Sequence, residues 1–151
     1  MTRRQIMPAQ WLVVDARAGR ELISTIQQIP FGSGVLLLRK LGSKDFRRVR
    51  NLARLRGLII VEEQAGEAAR VHDMRELRKA LQKRNPFLFV SPIHRTESHP
   101  NWQPLPRMRA ATLARLGKRK VIALGGMNKT CFDRIRPLGF TSWAGISAFR
   151  T

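Results

Sequence analysis

Gly125 and Gly126 close the apolar run Val121–Leu124, and Asn128 stands two residues further on, ahead of Phe132 and Ile135. A buried strand ending in paired glycines lets backbone N–H groups approach a ligand with no Cβ in the way. A helix starting at Asn128 adds unpaired N–H donors and the positive end of a dipole, which suits an anion such as phosphate. A second stretch of this kind ends the chain: Phe140–Ala144, then Gly145, Ile146 and Ser147. Together the two describe a phosphate site made from consecutive strand–loop units. A tight turn without a ligand would use the same residues.

Other reactive side chains give weaker patterns. His72, His94 and His99 include no pair at helical ligand spacing, and the last two lie in a proline-bounded loop, so they do not describe a metal site. Glu62 and Glu63 follow the apolar run Leu58–Val61. They suit either Mg²⁺, which typically takes one or two carboxylates, or plain solvation. Cys131 is the single cysteine, which excludes an internal disulfide, fits a reducing compartment and reads as a small packing residue.

The elements that must position these residues alternate. Apolar runs at Trp11–Val14, Gly34–Leu38, Leu58–Val61, Phe87–Val90, Val121–Leu124 and Phe140–Ala144 read as strands. Amphipathic segments between them read as helices: Leu22, Ile23 and Ile26 lie on one face, and Phe46, Val49 and Leu52 on another behind a Ser43 cap. Met74, Leu77 and Leu81 point inward in the next, and a further helix lies around Leu105, Met108 and Leu116. This order predicts an α/β fold with a parallel sheet. It falters once, because only a few residues separate Val61 from a strand remnant at Arg70–His72. A parallel crossover needs a dozen or more.

At 151 residues the chain is expected to form a single domain over 1–151. It carries 29 Lys and Arg against 10 Asp and Glu, a formal net charge of +19, which predicts attraction to polyanions. Eight of those cations fall between Arg39 and Arg56 with one aspartate, so a nucleic-acid partner is one reading. There is no tyrosine, no aromatic interleaving and no helix-turn-helix or zinc pattern, and a solvated outer helix face is favoured. No apolar run is long enough to cross a bilayer, and the first ten residues do not read as a secretory signal. A cytoplasmic protein with no membrane partner is expected.

The stretches FLFVSPIHRTESHP, VIALGGMN and GFTSWAGISAF resemble the thiamine phosphate synthase and thiazole tautomerase family. That family has Ser-Pro or Gly-Pro after its sixth strand, a Thr-x-Thr or Thr-x-Ser loop, Ala-Leu-Gly-Gly after the seventh and a Gly-x-x-x-Ile-Ser-Ala-like ending. VHDMRELRKAL resembles its strand-five loop and helix. The match runs from about Val71 to the end of the chain, and the N-terminal half agrees in outline. The resemblance implies a (β/α) TIM-type barrel, here shortened by about one β/α unit between Glu63 and Ala69. Complete barrels of this type run from roughly 200 residues upward. A barrel short of a strand exposes edges, so closure as a smaller barrel or pairing as a homodimer is implied.

The activity implied is the joining of a hydroxymethylpyrimidine diphosphate to a thiazole phosphate, with Mg²⁺ and release of pyrophosphate, in thiamine biosynthesis. The alternatives are a paralogue that binds a thiazole or other phosphate ligand without making the bond, and a basic nucleic-acid-binding protein. By the resemblance, Gly125, Gly126, Ile146 and Ser147 hold the thiazole phosphate, while Arg39, Thr96 and Ser98 meet the pyrophosphate. Lys40 and His99 are further phosphate contacts, and Glu62 is the Mg²⁺ ligand. The family's lysine after the strand-two arginine is Leu41 here, its Asn-Asp pair is Val61 and Glu62, and its serine before the strand-five histidine is Arg70.

Overall fold

Continuous apolar runs become strands covered on both faces, and the amphipathic segments between them become the helices that cover them. The computed structural model describes residues 7–14, 19–96, 100–118 and 120–145. Among the described residues the chain runs β1 (Gln10–Val14), α1 (Gly19–Gln28), β2 (Gly34–Leu37), α2 (Ser43–Arg56), β3 (Ile59–Glu62) and β4 (Ala68–Val71). It continues through α3 (Met74–Gln82), β5 (Phe87–Val90), α4 (Arg107–Leu116), β6 (Val121–Leu124), α5 (Lys129–Ile135) and β7 (Ser142–Gly145).

Every strand pairing is parallel, and the order across the sheet is β3-β2-β1-β7-β6-β5-β4. That is sequence order read round a circle, with a single neighbour pair, β3 and β4, not joined. The fold is a seven-stranded, nearly closed (β/α) barrel, the shortened TIM-type barrel that the sequence implies.

The seam between β3 and β4 is spanned by residues 63–67 alone. So short a connection cannot carry a parallel crossover, and the two strands lie at opposite edges of the sheet. The turn is tied down locally. Glu62 N–H donates to Glu67 Oε2 at 3.0 Å, and Glu67 N–H donates to the Glu62 carbonyl at 3.3 Å. Asn85 Nδ2 donates to the Gly66 carbonyl at 3.0 Å. These bonds satisfy backbone groups that a neighbouring strand would otherwise pair.

The barrel interior draws one or two residues from each strand: Trp11 and Val13, Leu36, Val61, Ala68, Phe89, Ile122 and Ala144. Trp11 is fully buried, with Phe87 and Phe89 edge-on at centroid distances of 4.9 and 5.4 Å. Gly34, its register partner on β2, makes the slot, since a Cβ there would lie 2.2 Å from Trp11 Cε3. Alternate residues face outward into two helix-covered layers. Leu12, Val35 and Leu37 pack against Ile26 and Val49, while Leu88, Val121 and Ala123 pack against Leu77, Leu113 and Phe132.

Three local readings change. The cap of α2 is Gly42, with no side-chain hydrogen bond, and Ser43 is the first helical residue. The buried face of α4 is Ala110, Ala111, Leu113 and Ala114, small residues that let it lie close to the sheet, while Met108 and Leu116 are exposed. Leu81 is exposed at the end of α3, whose buried anchors are Leu77 and Ala80. That helix starts as its sequence suggests: Asp73 accepts from Glu76 N–H at 2.8 Å, and Glu76 Oε2 accepts from His72 N–H at 3.1 Å. Asp73→Ala is expected to lower stability by about 1 kcal/mol, measured by urea unfolding. An unchanged midpoint would mean that Glu76 alone sustains the cap.

Candidate functional site

All seven strands point the same way, so their C-terminal ends share one mouth, the face on which barrels of this kind carry their chemistry. Arg39 and Lys40 follow β2, Glu63 follows β3, and Arg70 lies near the end of β4. The loop after β5 brings Ser91 to Thr96, and the loop after β6 brings Gly125 and Gly126.

The last two loops are locked together. Ile93 N–H donates to the Leu124 carbonyl at 3.0 Å, and His94 N–H donates to the Gly125 carbonyl at 3.1 Å. The Leu105 N–H reaches back to the Pro92 carbonyl at 2.8 Å, which closes the base of the long loop. Gly125 and Gly126 have φ of +106° and +59°. A Cβ at Gly125 would come within 3.0 Å of Pro92 Cα, and one at Gly126 within 2.6 Å of the Arg95 carbonyl oxygen. Both glycines are therefore demanded by conformation and by the loop above them. Asn128 caps α5 as its sequence position suggests, accepting from Cys131 N–H at 2.8 Å.

Of the anticipated site residues, Gly125, Gly126 and Thr96 lie on these two joined loops, while Arg39 and Lys40 stand across the mouth after β2. Ser98, His99, Ile146 and Ser147 lie outside the described residues.

The carboxylates divide. Glu62 alternates with Val61 and so shares the outward side with Ile60, whereas Glu63 continues the β3 ladder, donating its N–H to the Leu37 carbonyl at 3.0 Å. Glu63 thus shares the lumen side with Val61. Arg70, alternating with Ala69 and aligned with Ala68, points the same way, and its Nε donates to Glu63 Oε1 at 3.1 Å. No sequence signal marks this pair, since which strand positions face the lumen is fixed by the curl of the sheet. For Mg²⁺ the donor set fits poorly. Glu62 faces away from the lumen and Glu63 is engaged by a guanidinium, so neither carboxylate is turned to a cation at the mouth.

The family model described as thiamine monophosphate synthase matches residues 62–149, more than half of the chain. The chain belongs to the thiamine monophosphate synthase family. Its matched region starts at the seam and contains both loops that lock at the mouth. The solved structure of thiamine phosphate pyrophosphorylase from Pyrococcus furiosus superposes with a TM-score of 0.72 at 16% identity. The superposition covers 93% of this chain and 86% of that one, a likeness of fold that includes the N-terminal strands before the matched region. No curated protein sequence matches this chain. No helix among the described residues is long and apolar enough to cross a membrane.

Proposed function

We propose that this family member takes small phosphorylated substrates at the barrel mouth and joins a hydroxymethylpyrimidine diphosphate to a thiazole phosphate, releasing pyrophosphate. The observation that carries this reading is the locked pair of loops after β5 and β6, with two positive-φ glycines inside the family-matched region.

In this reading the Gly125–Gly126 backbone, with Ile146 and Ser147, holds the thiazole phosphate. Thr96 and Ser98 hold the departing pyrophosphate from the β5 loop, with Arg39, Lys40 and His99 as further cationic or hydrogen-bonding contacts. The chemistry asked of these groups is electrostatic: charge that develops on the leaving group meets preorganised donors. Mg²⁺ at Glu62, which the family suggests, has little support in the side chains around it, so no step is routed through it.

A second reading, binding of the phosphate ligand without bond formation, is favoured by one feature. Residues 63–67 stand where a strand and its helices would complete the mouth.

Titration of the protein with the thiazole phosphate, followed by thermal melting, tests the shared part of both readings. Saturable stabilisation is expected, rising by about 2.7 kcal/mol at a ligand concentration a hundredfold above Kd. A melting temperature that ignores the ligand at millimolar concentration would remove the phosphate site from the account.

A further inference from the structure

The Arg70–Glu63 pair sits at the upper end of the open seam, and its two partners are unequally placed. The Arg70 side chain is 41% exposed and the Glu63 side chain 24%. Glu63 Oε2 lies 3.1 Å from Arg70 Nε, yet it is buried and receives no hydrogen bond. The carboxylate is thus sheltered and under-satisfied, while the guanidinium remains reachable from the mouth. A guanidinium carries five N–H donors in a planar fork, and the hydrogen bond to Glu63 uses Nε alone. On β5, the strand paired with β4, the loop that follows brings Thr96 to the same rim.

We infer that Arg70 supplies the fixed positive charge for a diphosphate group at the seam end of the mouth, without a divalent metal, and that Glu63 holds Arg70 in place until the diphosphate displaces it. This rests on the proposed function for its choice of ligand and goes beyond it in the charge that receives the ligand. A phosphate group takes the arginine fork through two parallel charge-assisted hydrogen bonds, and it carries more charge than the carboxylate it displaces. Of the two carboxylates at the end of β3, Glu62 faces away from the lumen and Glu63 is held by Arg70, so a guanidinium is the better-placed cation here. Glu63 has two effects. It orders Arg70 in the empty protein, and it competes with the ligand for the same donors.

The test is calorimetric titration of the full chain with inorganic pyrophosphate in EDTA, comparing wild type with Arg70→Ala, Arg70→Lys and Glu63→Gln. Wild type is expected to bind without Mg²⁺. Arg70→Ala is expected to weaken binding roughly tenfold to a hundredfold, the range for loss of hydrogen bonds to a charged group. Arg70→Lys keeps the charge and loses the fork, so it should fall between them. Glu63→Gln removes the competing charge and should bind pyrophosphate more tightly than wild type, a gain that partial unfolding cannot imitate.

Wild-type affinity in Arg70→Ala, or binding that appears only with Mg²⁺, overturns the inference. Unchanged or weaker binding in Glu63→Gln overturns the role given to that residue, and it remains decisive if Arg70→Ala fails to fold. Thiazole phosphate titrated into the same proteins separates the two failures. Its absence of binding to wild type counts against the proposed function, whereas its retention in Arg70→Ala beside normal pyrophosphate binding counts against Arg70 alone.

Discussion

Replacing Trp11 with alanine is expected to destabilise the protein by about 3–5 kcal/mol, the range for emptying a buried aromatic site. In a chain of this size that lowers Tm by roughly 10 °C or more. The indole is fully buried, contacts Phe87 and Phe89 edge-on, and occupies a slot cut by Gly34. It comes from β1, two strands round the barrel from the β3 edge of the open seam, and reaches rings on β5. The interior is therefore held across its width by side chains, although the backbone ladder is broken at β3 and β4. Trp11 Nε1 is buried without a hydrogen-bond partner, so Trp11→Phe gives up packing volume but also removes a desolvated donor. It should cost clearly less than Trp11→Ala. Chemical unfolding of the three proteins checks both expectations. A loss under about 1 kcal/mol for Trp11→Ala, below the range for such truncations, would mean that the seam closes to refill the lumen.

Gly126→Val is expected to abolish binding of the thiazole phosphate while leaving a folded barrel. At φ +59° a β-branched residue is strained, at a cost on the order of 1–3 kcal/mol. Its Cβ would also lie 2.6 Å from the Arg95 carbonyl oxygen and 2.9 Å from His94 Cβ. Relief requires the β5 loop to move away from the β6 loop, which breaks the His94 N–H bond to Gly125 and displaces Thr96. The substitution therefore acts through loop geometry as well as through the ligand's own space. His94→Ala keeps the His94 Cβ, the loop bonds and the glycine donors, and removes only the imidazole, so it tests whether that ring itself contributes to binding the ligand. It should retain most of the affinity. Isothermal titration with circular dichroism as a check on folding makes the measurement, and unchanged affinity in a folded Gly126→Val would sink the phosphate site.

Much of this architecture was legible in the sequence because burial on both faces leaves unbroken apolar runs. Gly34–Leu37 and Val121–Leu124 are strands for that reason. The shortfall between Val61 and the next strand was legible too, since a parallel crossover cannot be made from so few residues. Which alternate residue enters the lumen was not. A run such as Trp11-Leu12-Val13-Val14 is apolar at every position, and only the curl of the sheet separates Trp11 and Val13 from the other two. Helix α4 misleads in a different way, because its contact with the barrel needs small residues, and Met108 and Leu116 are left in water.

At the site, Gly125 and Gly126 stood out by type and position. Their partners, Pro92 to Arg95, lie some thirty residues upstream, and nothing local marks the contact. The Arg70–Glu63 pair was hidden for a similar reason, since it depends on the side to which each strand turns its residues beside a missing neighbour.

The most direct test of the central claim is a single incubation of the purified protein with the pyrimidine diphosphate and the thiazole phosphate, with and without Mg²⁺, read by mass detection of thiamine phosphate. Product above a protein-free control is expected, with the Gly126→Val protein giving none. Absence of product in both conditions, from a protein that binds both substrates, would contradict it and leave a barrel that holds phosphate without joining the two rings.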